Sequence, residues 1–222
     1  MKEVKFVKNF YKNRDERCFI LGNGPSLNKV DLSLLTKHIV VGVNLILYSG
    51  FVPDFLCVSD RDMIIDNYKN IINNKMNKGY YLISKTKDSK FNHLLQSHKN
   101  VRLIDGFKEN KQQRFPYIDP ELKKFAITKN GVINDLAIGL AIYLGFEEIF
   151  LLGVDGQHGT NTHFYDCEGI ENKKDSIVRS GPEPVTYKML LPVLKNMGIK
   201  VYNCSENNKH PELEYKNVNE VV

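Results

Sequence analysis

With 222 residues, 42% of them apolar and 26% charged, the chain has material for one core of α/β size, which excludes wholesale disorder. Its 31 Lys and Arg outnumber 26 Asp and Glu for a net charge of +5, yet the lysines are scattered and no arginine-rich or aromatic-interleaved run occurs. That balance speaks against nucleic acid as a partner and favours acidic ligands or a weak attraction to an anionic membrane.

No run of about 18 apolar residues is present, so neither a spanning helix nor a secretory leader is expected. Cys18, Cys57, Cys167 and Cys204 form no Cys-x-x-Cys pair, and reduced thiols in a cytoplasmic protein are the expectation.

Residues 1–17 are polar and basic, a short helix or arm. Residues 18–21 then read as a short buried strand, and Gly22-Asn23-Gly24-Pro25-Ser26 ends it in a tight loop. Two glycines around an asparagine permit φ > 0 and close backbone approach, leaving amide N–H groups to face an anion. The loop lacks Gly-x-Gly-x-x-Gly and lacks a Gly-Lys-Ser/Thr pair, so a plain exit turn is the competing reading.

Asp31 caps a turn at 32–35, which leads into a second strand at 39–43 ending in Asn44. The third strand, 55–58, leaves through Ser59 and Asp60; Asp60 either caps a helix at 63–72 or faces a ligand. Strands at 80–83 and 101–104 leave through Ser84 and Asp105, with a polar helix or loop at 88–99 between them. Residues 106–126 have no clean period and are expected to form a lid or small insert.

Asn130-Gly131 precedes the strongest helical pattern in the chain, Ile133, Leu136, Ala137, Leu140, Ala141 and Leu144, closed by Gly145. Its first turn, with Asn130, Gly131 and Asn134, would aim amides and a positive dipole end at a phosphate. A strand at 148–152 follows and completes a right-handed parallel crossover. It leaves through Asp155 into a second lid loop, 156–182, whose His158 and His163 are general acid or base candidates. A metal held by these histidines with Asp155 or Asp166 matches no strong spacing pattern, and no metal ligand is assigned. Glu183 lies in a glycine/proline turn before a helix from Thr186 to Gly198, in which Pro192 should introduce a kink or shift the effective start. The last strand, 199–202, leaves through Asn203 and Ser205 into a polar, surface-packed tail.

These elements specify an α/β fold: a Rossmann-like, mostly parallel sheet with helices on both faces and a small lid or insert, as one nucleotide(-sugar)-binding domain over 1–222. In such sheets the ligand sits outside the carboxyl ends of the strands, where the strand order reverses.

Three blocks carry a resemblance. Gly22-Asn23-Gly24-Pro25-Ser26-Leu27 with Asp31 and Val43-Asn44 resembles the opening of the bacterial lipooligosaccharide sialyltransferases. It equally resembles the wider 6-hydroxymethylpterin diphosphokinase-like family, which includes motility-accessory flagellin glycosyltransferases. Residues 131–155, ending Leu151-Leu152-Gly153-Val154-Asp155, look like the second block of both groups, and Val201-Tyr202-Asn203-Cys204-Ser205 like the third.

The resemblance implies that Asn23, Ser26 and Asn44 contact nucleotide phosphates and sugar; Gly22 and Gly24 of the same loop, and Asp60 at the third strand exit, are further nucleotide-binding candidates. It implies that Asn130 and Gly131 meet the nucleotide from the helix end, and that Asp155 forms the floor. The sialyltransferases place a basic histidine before the helix that precedes the last strand. This chain has Gly181 near that point, so His163 or Glu183 would have to take its role.

The implied activity is that of a cytoplasmic glycosyltransferase of surface-glycan or lipopolysaccharide synthesis, peripheral to the inner membrane, taking a CMP-nonulosonate donor without a cofactor. Its acceptor would be a glycan, a lipid-linked sugar or a protein, and a homo-oligomer is compatible with this. Two rivals stand beside it: a pyrophosphoryl transferase using ATP and Mg²⁺ on Asp60 and Asp155, and a catalytically silent nucleotide-sugar-binding module.

Overall fold

The computed structural model describes residues 5–14, 17–59, 79–85, 88–107, 124–126, 132–156, 164, 184–206 and 208–222. Among these residues nine strands form one sheet: β1 (Cys18–Leu21), β2 (Ile39–Val43), β3 (Phe55–Val58), β4 (Tyr80–Ser84), β5 (Val101–Phe107), β6 (Lys124–Ala126), β7 (Glu148–Leu152), β8 (Lys200–Asn203) and β9 (Glu214–Tyr215). Their order is β6-β5-β4-β3-β2-β1-β7-β8-β9, and every described pairing is parallel.

Parallel strands covered on both faces must be apolar throughout. In β1, Cys18 and Ile20 enter one apolar cluster while Phe19 and Leu21 enter the other. The first cluster is closed by Leu136 to Leu144 and by Tyr187, Leu190 and Leu194. These come from α2 (Ile138–Leu144), which a π turn (Ile133–Ala137) introduces, and from α3 (Pro184–Asn196). The second cluster is closed by Leu27, Leu35 and Ile46 from three 3₁₀ turns, by Leu95 of α1 (Ser89–Gln96) and by Val221 of α4 (Val218–Val221). The α/β class with helical cover on both faces is therefore as the sequence implied.

Local signals are legible in detail. Asp31 caps the second 3₁₀ turn by accepting from the Ser33 amide, and the Ser33 side chain together with that amide holds its carboxyl below the usual range. Gly145 closes α2 at φ +98°, its amide donating to the carbonyls of Ala141 and Ile142.

Of the two forms expected for the basic start, the structure has the arm: its Asn9 and Tyr11 amides donate to the Tyr143 and Leu144 carbonyls, and the Tyr11 ring stacks 4.5 Å from Phe146. Three expectations change. The stretch 106–126 is not wholly irregular, because β5 runs on to Phe107 and 124–126 pair with it as an edge strand. Asp105 thus lies inside β5 rather than at an exit. The tail is partly core: Leu213, Val221 and His210 are buried, and 214–215 extend the sheet beyond β8. The expected helix at 63–72 lies outside the described residues. Among the described residues no helix is long and apolar enough to cross a membrane.

Candidate functional site at the switch point

Strand order reverses between β1 and β7, so the loops leaving these two strands diverge over opposite halves of the sheet. The register aligns Leu21 with Gly42 on one side and with Leu152 on the other. That places the Gly22–Ser26 loop between Asn44, which follows β2, and Asp155, which follows β7.

The loop is bonded to the β7 exit. Gly22 donates its amide to the Leu152 carbonyl at 2.7 Å, and Gly24 donates to Gly153 at 2.7 Å. Ser26 donates its amide to Asp155 Oδ2 at 2.9 Å. This corrects two expectations. Neither Gly22 nor Gly24 has positive φ; they are glycines because a Cβ would run into the Gly153 carbonyl at one and Asp155 Oδ2 at the other. Three amides expected to face an anion are spent inside the protein, because the two strand exits lie too close to leave them bare.

What remains open is a set of side-chain oxygens. Asn23 Oδ1, Ser26 Oγ, Asn44 Oδ1 and Asp155 Oδ1 are each buried without a hydrogen-bond partner. Ser26 is 4% exposed and Asp155 2%. Buried polar atoms are nearly always satisfied, so a group of orphans at a strand-order reversal marks a place where something else completes the bonding. Asn44 adds a strained backbone, φ +49° on a non-glycine residue, held by its amide bond to the Cys57 carbonyl at 2.9 Å.

Two further segments brace this group. Phe164 donates its amide to the Asn23 carbonyl at 2.8 Å and accepts from Asn28 Nδ2 at 3.0 Å. On the β8 side, Asn203 Nδ2 donates to the Val154 carbonyl, the Val154 amide donates to Ser205 Oγ, and the Lys209 amide donates to the Asp155 carbonyl. Asn203 and Ser205 therefore shape the Asp155 turn. His210, edge-on to Tyr187 at 4.8 Å, packs where a Cβ on Gly156 would sit 2.6 Å from its Nε2. Sequence reasoning missed His210, since a lone histidine in a polar tail gives no signal.

The structure thus brings together Gly22, Asn23, Gly24, Ser26, Asn44 and Asp155. Asp60, Asn130, Gly131, His163 and Glu183 lie outside the described residues.

The model of the family described as 6-hydroxymethylpterin diphosphokinase MptE-like matches residues 1–160. The chain belongs to the MptE-like family. No curated protein matches it. Among solved structures, this MptE-like chain is similar to the monofunctional α-2,3-sialyltransferase Cst-I of Campylobacter jejuni, at 17% identity and TM-score 0.63, over 100% of this chain and 90% of that one. It is also similar to the sialyltransferase CstII of Campylobacter jejuni in complex with the substrate analogue CMP-3FNeuAc, at 16% identity and TM-score 0.54, over 90% of this chain and 86% of that one. CstII in complex with a trisaccharide acceptor and CMP gives 16% and 0.51, over 91% and 89%. At these identities the likeness is one of fold.

The site has no reactive thiol among the described residues. Burial raises the Cys18 and Cys57 thiols far above their usual range and pushes Cys204 up to about 12. No group of three or more His, Cys, Asp or Glu able to hold a metal occurs among the described residues. For the Mg²⁺ of a diphosphokinase, Asp155 Oδ1 offers the single carboxylate that a nucleotide-bound Mg²⁺ commonly takes from protein.

Proposed function

We propose that this MptE-like chain is a glycosyltransferase that takes its sugar from a nucleotide-activated donor, a CMP-nonulosonate, in surface-glycan synthesis. One observation carries the reading: the cluster of orphaned buried oxygens at the β1/β7 reversal, in a fold shared with sialyltransferases solved with CMP.

Transfer to a hydroxyl needs a base for the acceptor proton and positive groups for the departing phosphate. His163 is the base in this reading. It immediately precedes Phe164, whose amide and carbonyl bond to Asn23 and Asn28 beside the site. Glu183 is the second candidate. With the Gly22, Gly24 and Ser26 amides engaged, neutralising the phosphate falls to Asn130 and Gly131 ahead of the π turn. The acceptor is a glycan, a lipid-linked sugar or a protein, met at the cytoplasmic side of the inner membrane.

Melting curves with CMP, CDP, UDP, GDP and ATP, each with and without Mg²⁺, test this, because a ligand that binds only the native state raises the midpoint. CMP should raise it without metal; a panel with no effect removes the proposal. The family's own description favours a second reading, pyrophosphoryl transfer from ATP with Asp155 on Mg²⁺. EDTA separates them: the glycosyltransferase keeps turning over and the diphosphokinase stops.

A further inference from the structure

Asp155 has a carboxylate divided between two fates. Oδ2 accepts the Ser26 amide, while Oδ1, on a residue 2% exposed, accepts nothing. A buried charged oxygen left without a donor is strongly unfavourable, so a ligand seated here brings it a hydrogen-bond donor. Phosphate has none to bring at neutral pH and carries the same sign as the carboxylate. The amides that could have offset that repulsion, at Gly22, Gly24 and Ser26, are already bonded to Leu152, Gly153 and Asp155 itself. These three amides therefore offer a phosphate no donor beside the carboxylate.

A second buried oxygen belongs to the residue that donates to this carboxylate. Ser26 is 4% exposed, its amide is 2.9 Å from the same carboxylate, and its Oγ also has no partner. A hydroxyl both donates and accepts. One carboxylate oxygen and one neighbouring hydroxyl match the two hydroxyls of a vicinal diol: one donates to Asp155 Oδ1, the other exchanges a hydrogen bond with Ser26 Oγ.

We infer that Asp155 and Ser26 hold the ribose diol of the nucleotide, and that its phosphates are bound away from this pair. The inference rests on the nucleotide-dependent reading above and adds which part of the nucleotide the switch point takes.

The test compares CMP, UDP and ATP with their 2′,3′-dideoxy counterparts by calorimetry on the full chain, in EDTA and in Mg²⁺. A hydrogen bond to a charged group contributes about 10- to 100-fold in affinity, so the parent should prefer a ribonucleotide by that factor. Asp155→Asn should cut the preference to a few-fold by weakening the ribonucleotide, because a neutral amide replaces the charged acceptor, while leaving the dideoxy form within about 2-fold. The asparagine can still accept the Ser26 amide, and an unchanged circular dichroism spectrum confirms the fold. Ser26→Ala, which leaves the carboxylate untouched, should cut the preference in part.

A parent that binds the nucleotides without distinguishing them overturns the diol assignment alone, as does Asp155→Asn weakening both forms equally. An Asp155→Asn effect present only with Mg²⁺ also overturns it and assigns the carboxylate to a cation. A parent that binds none of the three nucleotides removes both this inference and the reading it rests on.

Discussion

Gly24 and Asp155 lie 131 residues apart in the chain and so close in space that a Cβ on the glycine would collide with the carboxylate's Oδ2. The carboxylate is held in turn by the Ser26 amide, two residues past that glycine. The loop after β1 and the turn after β7 are therefore one unit.

Gly24→Ala should separate that unit. Forcing a methyl into a packed contact typically lowers stability by about 1–3 kcal/mol. The expected outcome is a lower melting temperature with loss of nucleotide binding. Gly139→Ala in α2 is the control: nothing lies within 4 Å of a Cβ there. Relief of glycine's helix penalty should raise stability by up to about 1 kcal/mol, without touching binding.

Asp155→Asn should make the empty protein no less stable, and by roughly 1 kcal/mol more so, since an unpaired neutral amide is cheaper to bury than an unpaired carboxylate oxygen. Urea midpoints without ligand measure this. A clear loss of stability would mean that the carboxylate is satisfied in the free protein and is no ligand contact.

Asn44 holds φ +49°, which a glycine adopts without strain. Asn44→Gly should leave stability within about 1 kcal/mol of the parent, whereas Asn44→Ala should lower it by roughly that amount. Both should weaken nucleotide binding, because both delete the orphaned Oδ1. Retained affinity in Asn44→Gly would reduce Asn44 to a turn residue.

His163→Ala should lower kcat by about 100-fold or more, the usual contribution of a general base, while leaving the donor dissociation constant nearly unchanged. A fully active variant would transfer the role to Glu183. Steady-state rates beside equilibrium binding of the donor separate the two effects.

The thiols give a pH dependence of known sign. Cys18, Cys57 and Cys204 are all raised in the folded protein by burial, so the fold holds their protons more tightly than the unfolded chain does. Their contribution is fully present below the unfolded thiol value of about 8.5 and declines as pH rises above it. Stability should therefore fall from about pH 9 upward. The same burial should leave these thiols unlabelled by a thiol reagent in the native protein and labelled at once in urea.

The strand exits that frame the candidate site are legible in the sequence. Asn23, Asn44 and Asp155 each follow an apolar run that a buried parallel strand requires, and a polar residue just past such a run is locally visible. The glycines of the Gly22–Ser26 loop mark a close approach, but to Gly153 and Asp155 rather than to a ligand, and without positive φ. His210 and the bracing by Asn203 and Ser205 went unread, because nothing in a polar tail states what it will lie against.

The sequence alone determined where the central strands β1, β2, β3 and β7 begin and end, since continuous apolar stretches, Asp31 and Gly145 act through neighbours a few residues away. Only the tertiary structure decided that β1 takes β7 as its partner, and with it that Asp155 consumes the Ser26 amide and keeps one oxygen open. Pairing of parallel strands over so long a separation depends on how whole apolar faces pack together, and no local run of residues encodes that choice.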